Sequence, residues 1–286
     1  MATTKIGFLH PGEMGISLAA SAQNSGHTAF WASEGRSRAT QARAAKFGLT
    51  DTKTLQELCA TCSVIVSICP PEAAENVAKQ ALSSTFRGMY LDANAISPQR
   101  AIRIGKLMEQ SGVEFVDGGV IGGPAWEPGK TWLYLSGQAA PRAASCFSSG
   151  PLETSVIGES IGKASALKMC YAAYTKGTRA LLYALLATAE KTGVRADLEK
   201  QWSQEGSDYA EEARRATRTV TGKAWRYVGE MEEIAATFTE AGIPGGFHEA
   251  AAELYRRLAP FKDETERAPL ETLLQALLQG HKSRAA

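Results

Sequence analysis

Near the amino terminus, His10-Pro11-Gly12-Glu13-Met14-Gly15 sets two glycines three apart, directly after an apolar run and ahead of a stretch of small residues. A phosphate group needs backbone amides at a helix start, where the dipole favours its charge, and no side chain blocking its approach. Gly12 and Gly15 meet those two demands. Strand, tight turn and helix in that order is the setting of a dinucleotide-binding turn, whose full pattern is GxGxxG. Here His10 holds the first glycine position. Two roles are open to it: contact with cofactor or substrate, and simple filling of the loop. Pro11, Glu13 and Met14 complete the turn expected at the cofactor.

In such a fold the end of the second strand, roughly 20 residues beyond the glycines, meets the adenosine ribose. The sequence there is Ser33-Glu34-Gly35-Arg36-Ser37-Arg38. Arg36 and Arg38, with Ser33 and Ser37, suit a ribose 2′-phosphate through charge-assisted hydrogen bonds. Glu34 suits a free 2′-hydroxyl instead. The balance favours NADP over NAD. Further on, Cys69-Pro70-Pro71 forces an extended loop after another apolar run, beside the nicotinamide ribose or as no more than a rigid turn.

These segments need a scaffold. Short apolar runs at Ile6 to Leu9, Thr28 to Trp31, Val64 to Ile68, Met89 to Asp92 and Glu114 to Asp117 alternate with helical patterns at Gly15 to Ser25, Ser37 to Phe47, Glu72 to Leu82 and Pro98 to Ser111. That alternation predicts a doubly wound α/β domain with a parallel sheet. Ser97-Pro98 reads as a helix start, Ser capping free amides and Pro tolerated at the first helical position. Two more strands, Trp132 to Ser136 and Thr154 to Ile157, flank a helix from Pro141 to Ser148. Beyond Gly158 the pattern becomes helical, with one long buried helix over Ser160 to Thr192. Further helices are expected at Trp225 to Glu240, Phe247 to Leu258 and Pro269 to Leu278, separated by a Gly-Pro-rich loop and a charged segment, Lys262 to Arg267. The domain boundary is expected near Gly158 to Gly162.

Composition limits the function classes. A chain of 286 residues, 44% apolar, is large enough for two cores. Lys plus Arg number 31 against 30 Asp plus Glu, so no general basic surface of the nucleic-acid-binding kind is present. The most apolar helical stretch, Ala180 to Ala189, is far short of the roughly 20 residues of a membrane span. No secretory signal pattern precedes Ile6, and the expected location is the cytoplasm. Five cysteines argue against a disulfide framework. Cys59 and Cys62 form a CxxC pair, but no second pair or His cluster completes a metal site.

Taken with two later motifs, these features resemble the β-hydroxyacid dehydrogenases, the family of 3-hydroxyisobutyrate and 6-phosphogluconate dehydrogenases. The HPGEMG turn, the segment DANAISP at Asp92 to Pro98 and the helix opening SALKM at Ser165 to Met169 are similar to a branch carrying a C-terminal domain of unknown function. The resemblance implies a Rossmann domain over residues 1–160 and an all-helical substrate and dimerisation domain over 161–286, pairing as a homodimer. It places the catalytic lysine at Lys168, which from spacing alone reads as an exposed helix lysine. Asn94 corresponds to a polar residue that orients nicotinamide or substrate, though it equally suits fixing the loop.

The family's substrate motif, of the form DAPVSGG, reads Asp117-Gly118-Gly119-Val120-Ile121-Gly122-Gly123. Gly122 and Gly123 match, while Ile121 replaces the serine and removes a substrate hydrogen bond. Where relatives carry asparagine one turn after the lysine, this chain has Ala172, with Tyr171 and Lys176 as substitutes. Four further residues bear on the site. Glu232 and Glu233 fall where relatives carry a Lys-Asp pair, and a solvated acidic face is the plainer reading. His248 reads as a cap or packing residue, and Tyr174 as packing. The implied function is hydride transfer between NADP and a small hydroxy acid or its oxo form. The alternatives are an imine reductase and a non-catalytic NADP-binding sensor.

Overall fold

The computed structural model describes residues 3–204, 206, 208–263 and 268–279, and the charged segment's residues 264–267 fall outside it. Two compact units are present, Met1–Met169 and Cys170–Ala286. No helix among the described residues is long and apolar enough to cross a membrane.

The first unit is built on one sheet of eight strands: β1 (Lys5–Phe8), β2 (Thr28–Trp31), β3 (Thr50–Asp51), β4 (Val64–Ser67), β5 (Met89–Asp92), β6 (Glu114–Gly122), β7 (Thr131–Ser136) and β8 (Leu152–Gly158). Their spatial order is β3-β2-β1-β4-β5-β6-β7-β8. All neighbours run parallel except β6 and β7, which pair antiparallel. β6 is longer than its apolar pattern predicts. Beyond Asp117 it continues as a ladder with β7, where the glycine-rich run lacks the β-branched residues that signal a strand.

The central strands are buried on both faces, which is why they read as continuous apolar runs rather than alternating ones. Alternation still sorts their side chains. Ile6, Phe8, Val64, Val66, Met89, Leu91, Val116 and Val120 join one core with Ile16, Leu18 and Phe147. Ile65, Tyr90 and Phe115 join the other with Leu58, Val77, Ile104 and Met108. Helices α1 (Glu13–Asn24), α2 (Arg38–Lys46), α3 (Leu55–Thr61), α4 (Ala74–Ser83), α5 (Pro98–Gln110) and α6 (Ala140–Ser145) cover these faces. α3 and β3 are additions to the expected elements. Seven and two residues are too short for a periodic signal, and only the Thr54 cap, accepting from Glu57 N at 3.2 Å, marks the start of α3. Ser97 takes the cap position of α5 in extended backbone, but its side chain does not bond the first amides as expected. Pro98 has already removed one of those donors.

The expected long helix is three segments. α7 (Lys163–Ala172) passes into a π turn over Ala173–Gly177 and then into α8 (Thr178–Thr192). Within the second unit the π turn is held by its neighbours: Tyr255 OH donates to the Lys176 carbonyl at 2.8 Å, and a Cβ on Gly177 would lie 3.2 Å from Phe247. Such turns insert one residue into the helical ladder and are invisible to a periodicity reading. α9 (Arg195–Gln204), α10 (Tyr209–Val220), α11 (Ala224–Glu240), α12 (Gly246–Leu258) and α13 (Leu270–Gln279) complete the bundle. α9 and α10 were not separable by pattern, since α9 buries no residue. Tyr183 of α8 meets Tyr255 edge-on at 6.0 Å, and Tyr227 of α11 does so at 5.3 Å.

Replacing Tyr255 by Phe keeps the ring and removes the bond to the π turn. The expected cost is about 0.5–1.5 kcal/mol, read from urea unfolding followed by helical circular dichroism. An unchanged midpoint would mean the hydroxyl contributes nothing there.

Candidate functional site

The strand order reverses at β1, whose neighbours are β2 on one side and β4 on the other. Ligands in such sheets sit at this switch point, beyond the carboxyl ends of the strands. The His10–Gly15 turn leaves β1 there. Gly12 caps α1 in extended backbone with no side-chain cap, and a Cβ on it would meet nothing within 4 Å. A Cβ on Gly15 would lie 2.2 Å from the His10 carbonyl, so only glycine lets the helix start this close to the turn. The two glycines divide the work: Gly15 permits the approach and Gly12 leaves the space open. Met14 packs on the core and Glu13 is exposed.

Arg43 of α2 donates to the Pro11 carbonyl at 3.4 Å, tying the turn to the segment after β2. That segment forms a tight bend, with Arg36 N donating to Ser33 O and Gly35 at φ +70°. Ser37 caps α2, its hydroxyl accepting from Thr40 N at 3.3 Å, and Arg38 opens the helix without an acidic residue in its first turn. Among the described residues, two buried nitrogens in this region find no partner, His10 Nδ1 and Arg36 Nε. Desolvation, and secondarily the Arg36 charge, lower the His10 pKa to about 4, while burial lowers that of Arg36. An anion bound against this turn would relieve both. Open space at Gly12, a bare helix start, the unpartnered Arg36 Nε donor and the unpartnered His10 Nδ1 fit a phosphate-bearing cofactor.

Across the next strands a row of polar residues stands in register: Ser67 of β4, Asp92 of β5, Asp117 of β6 and Ser136 of β7, all buried. Asn94 bridges the first part of this row. Its Oδ1 accepts from Cys69 N at 2.5 Å, its Nδ2 donates to Ser67 Oγ at 3.1 Å, and its own amide donates to Asp92 Oδ1 at 2.9 Å. Asn94 therefore fixes the Cys69-Pro70 loop. Burial pushes the Asp92 pKa up to about 7, and its Oδ2 has no partner. Desolvation also pushes the Cys69 thiol up to about 12.

Asp117 lies at the start of α7. It accepts at Oδ2 from Gly162 N (2.9 Å), Ser165 N (3.1 Å) and Ser136 Oγ (2.9 Å), and at Oδ1 from Ser165 Oγ (2.6 Å). Two residues along β6, a Cβ on Gly119 would lie 2.6 Å from Ala164 O and 3.1 Å from Lys168 Cβ. The missing side chain lets α7 rest on the strand, with Lys168 at the contact.

Residues 5–141 match the NAD-binding domain of 6-phosphogluconate dehydrogenase, and residues 189–258 match a domain of unknown function, DUF1932. The first unit therefore carries an NAD-binding domain of the 6-phosphogluconate dehydrogenase type. Among relatives, an uncharacterised 28.5 kDa protein in the 7S RNA 5′ region of Methanothermus fervidus is 32% identical over 162 residues, 56% of this chain and 61% of that protein. A conserved protein of unknown function, reported to be structurally similar to 3-hydroxyacid dehydrogenases, aligns with TM-score 0.64 at 28% identity, over 91% of this chain and all of its own. The fold is shared with Mycobacterium tuberculosis 3-hydroxyisobutyrate dehydrogenase bound to L-serine (TM-score 0.69, 18% identity, 97% and 100% covered). It is shared more distantly with an NADPH-bound reductive aminase from Aspergillus terreus (TM-score 0.56, 17% identity, 96% and 99% covered).

Other positions of the family pattern fall as follows. Gly122 has φ +117°, and a Cβ there would lie 2.2 Å from Lys130 O; Gly123 O accepts from Thr131 Oγ1 at 2.8 Å. Ile121 is buried, on the same face of β6 as Asp117 and Gly119 by strand alternation. In the second unit Tyr171 is exposed and Ala172 is buried, which leaves Ala172 little surface for a ligand. Lys176 is ion-paired with Glu230 and stands 4.5 Å above the Tyr227 ring, so it is engaged as a packing residue. Glu232 pairs with Arg256 at 3.0 Å, Glu233 is buried, and Tyr174 is exposed rather than packed. His248 is buried between Phe238 and Phe247, a packing position. The CxxC cysteines are buried, and desolvation raises their thiols to about 11 and about 12.

The residues that reading the sequence missed are Asp117 as a cap, Ser136, Ser165, Ser67 and Arg43. All act through partners far away in sequence, so no local spacing marks them.

His10 generates a pH prediction. Folded, it stays neutral down to about pH 4, while the unfolded chain binds a proton near 6.5. Its contribution is therefore complete above about 6.5 and lost as pH falls towards 4, because the unfolded state then binds more protons. Urea unfolding at pH 7, 5.5 and 4.5 is expected to show a shallower acid decline in His10→Gln than in the natural chain.

Proposed function

We propose that this chain is a cytoplasmic NADP-dependent oxidoreductase acting on a small hydroxy acid or its oxo form, with Lys168 as the general acid/base. The observation that carries the reading is Lys168 on a helix docked against Gly119 of β6, in the same sheet whose switch point holds the nucleotide turn.

His10 to Gly15 and the start of α1 would hold the pyrophosphate, and Arg36, Arg38, Ser33 and Ser37 the 2′-phosphate. Cys69 and Pro70, fixed by Asn94, would border the nicotinamide ribose. When bound, the nicotinamide supplies or accepts the hydride. Lys168 moves the proton: as the ammonium it donates to the oxo oxygen in reduction, and as the amine it takes the hydroxyl proton in oxidation. Gly122 and Gly123 would receive the substrate carboxylate. Ile121 offers an apolar wall where relatives offer a hydroxyl, which disfavours a substrate that needs that hydrogen bond. The likeness to a reductive aminase keeps carbon-nitrogen double bonds as the second substrate class, and the lysine favours carbonyl chemistry. Exposed apolar side chains at Tyr171, Tyr174, Leu181 and Leu185 support a homodimer through the helical domain.

Two measurements test this. Oxidation and reduction assays over L-serine, 3-hydroxyisobutyrate, β-keto acids and cyclic imines should give turnover on the acids, and Lys168→Ala should lower kcat roughly 10²–10⁴-fold with NADPH affinity unchanged. Full turnover in that variant removes the lysine from the role. NADPH binding with no turnover over the whole panel would favour a sensor. By fluorescence titration, replacing Arg36 and Arg38 by Ala should weaken NADPH roughly ten- to a hundredfold, the loss of charge-assisted hydrogen bonds, while NADH changes little. Equal loss for both cofactors would refute the 2′-phosphate assignment.

A further inference from the structure

We infer that Asp117 is a positioning residue for Lys168, its buried carboxylate clamping the first turn of α7 to the sheet and so setting where the lysine stands. The inference rests on the reading of Lys168 as the general acid/base.

A helix start leaves several amides without partners inside the helix, and usually the residue just before it supplies a side-chain acceptor. Here Gly162 precedes α7 at φ +99° and has no side chain to offer. The acceptors come instead from two strands. Asp117 Oδ2 takes the amides of Gly162 and Ser165, and Ser136 Oγ takes that of Ala164 at 3.1 Å while donating to the same carboxylate oxygen. Ser165 Oγ donates to Oδ1 at 2.6 Å. The start of α7 is thus registered to the sheet rather than to its own loop.

Two spacings carry this register to Lys168. Along β6, Asp117 and Gly119 are two apart and face the same way. One carries the clamp and the other the gap into which Ala164 O and Lys168 Cβ press. Along α7, Lys168 lies three residues from Ser165 and four from Ala164, on the face that meets the strand. A carboxylate that only stabilised the fold would leave the position of Lys168 unchanged.

The test is labelling of lysines by trinitrobenzenesulfonate from pH 7 to 10, read peptide by peptide by mass spectrometry on the full-length protein, with exposed Lys79 and Lys106 as internal references. This reagent reacts with the free amine. In Asp117→Asn, Lys168 should label at least threefold faster at pH 8, with Lys79 and Lys106 unchanged. A wild-type curve for Lys168 in the folded variant overturns the inference. If Asp117→Asn does not fold, Ser165→Ala decides: it loosens the clamp and should label Lys168 at least twofold faster, while Ser165→Thr, which keeps the hydroxyl, should match the natural chain. Equal rates in all three overturn the inference. Labelling requires no turnover, so a fully active Lys168→Ala would defeat the catalytic reading without deciding whether Asp117 places the lysine.

Discussion

Helices deliver free amides and first-turn side chains to the edge of a sheet only as closely as the intervening atoms allow. At two points in this chain the limit is set by a missing Cβ. At Gly15 the space belongs to the His10 carbonyl, 2.2 Å from where a side chain would begin; at Gly119 it belongs to the Ala164 carbonyl at 2.6 Å. Backbone cannot yield as a flexible side chain can, so any larger residue at either position would push a helix away. The first contact sets α1 against the nucleotide turn and the second sets α7 against β6. The geometry of the site follows from these two contacts.

The polar groups around those contacts fall into two kinds, and the difference is functional. Asp117 and Asn94 are buried with their oxygens satisfied by named donors, as buried polar groups must be if they are not to cost stability. They fix the helix start and the Cys69-Pro70 loop. Among the described residues, His10 Nδ1, Arg36 Nε and Asp92 Oδ2 are buried without partners. At the first two the cost is sensible if an anionic ligand completes them. Asp92 stands in register beside Asp117, and desolvation first raises its carboxyl to about 7, which lowers the cost of burying it as a charge.

The sequence carried the frame well because five buried strands announce themselves as apolar runs and the turn after the first carries its glycines openly. Arg36 and Arg38 stand out in the sequence as a local basic cluster at a predictable distance from the glycines, a pattern that needs no tertiary knowledge. What stayed hidden was cooperative over distance. Asp117 looked like the first letter of a substrate motif, yet its partners lie at Ser136, Gly162 and Ser165. The π turn at Ala173–Gly177 breaks no propensity rule and is held by Tyr255 from α12. Lys176 looked available until its pairing with Glu230 appeared. Asn94 was open between ligand and loop, and its bonds to Cys69 and Ser67 commit it to the loop.

The same alternation that orders the clamp bears on substrate choice. Asp117, Gly119 and Ile121 share one face of β6, so the isoleucine follows the lysine's docking point along the same line of residues. Where relatives place a hydroxyl there, this chain places a buried branched hydrocarbon. An apolar neighbour excludes water and strengthens each remaining electrostatic contact, but it can reward a substrate only with van der Waals contact. Discrimination must then come from the rest of the ligand. On the proposed reading, a substrate with an apolar group on the Ile121 side and a carboxylate towards Gly122 and Gly123 would suit all three positions together, whereas one that presented a polar group to Ile121 would leave that group without a partner.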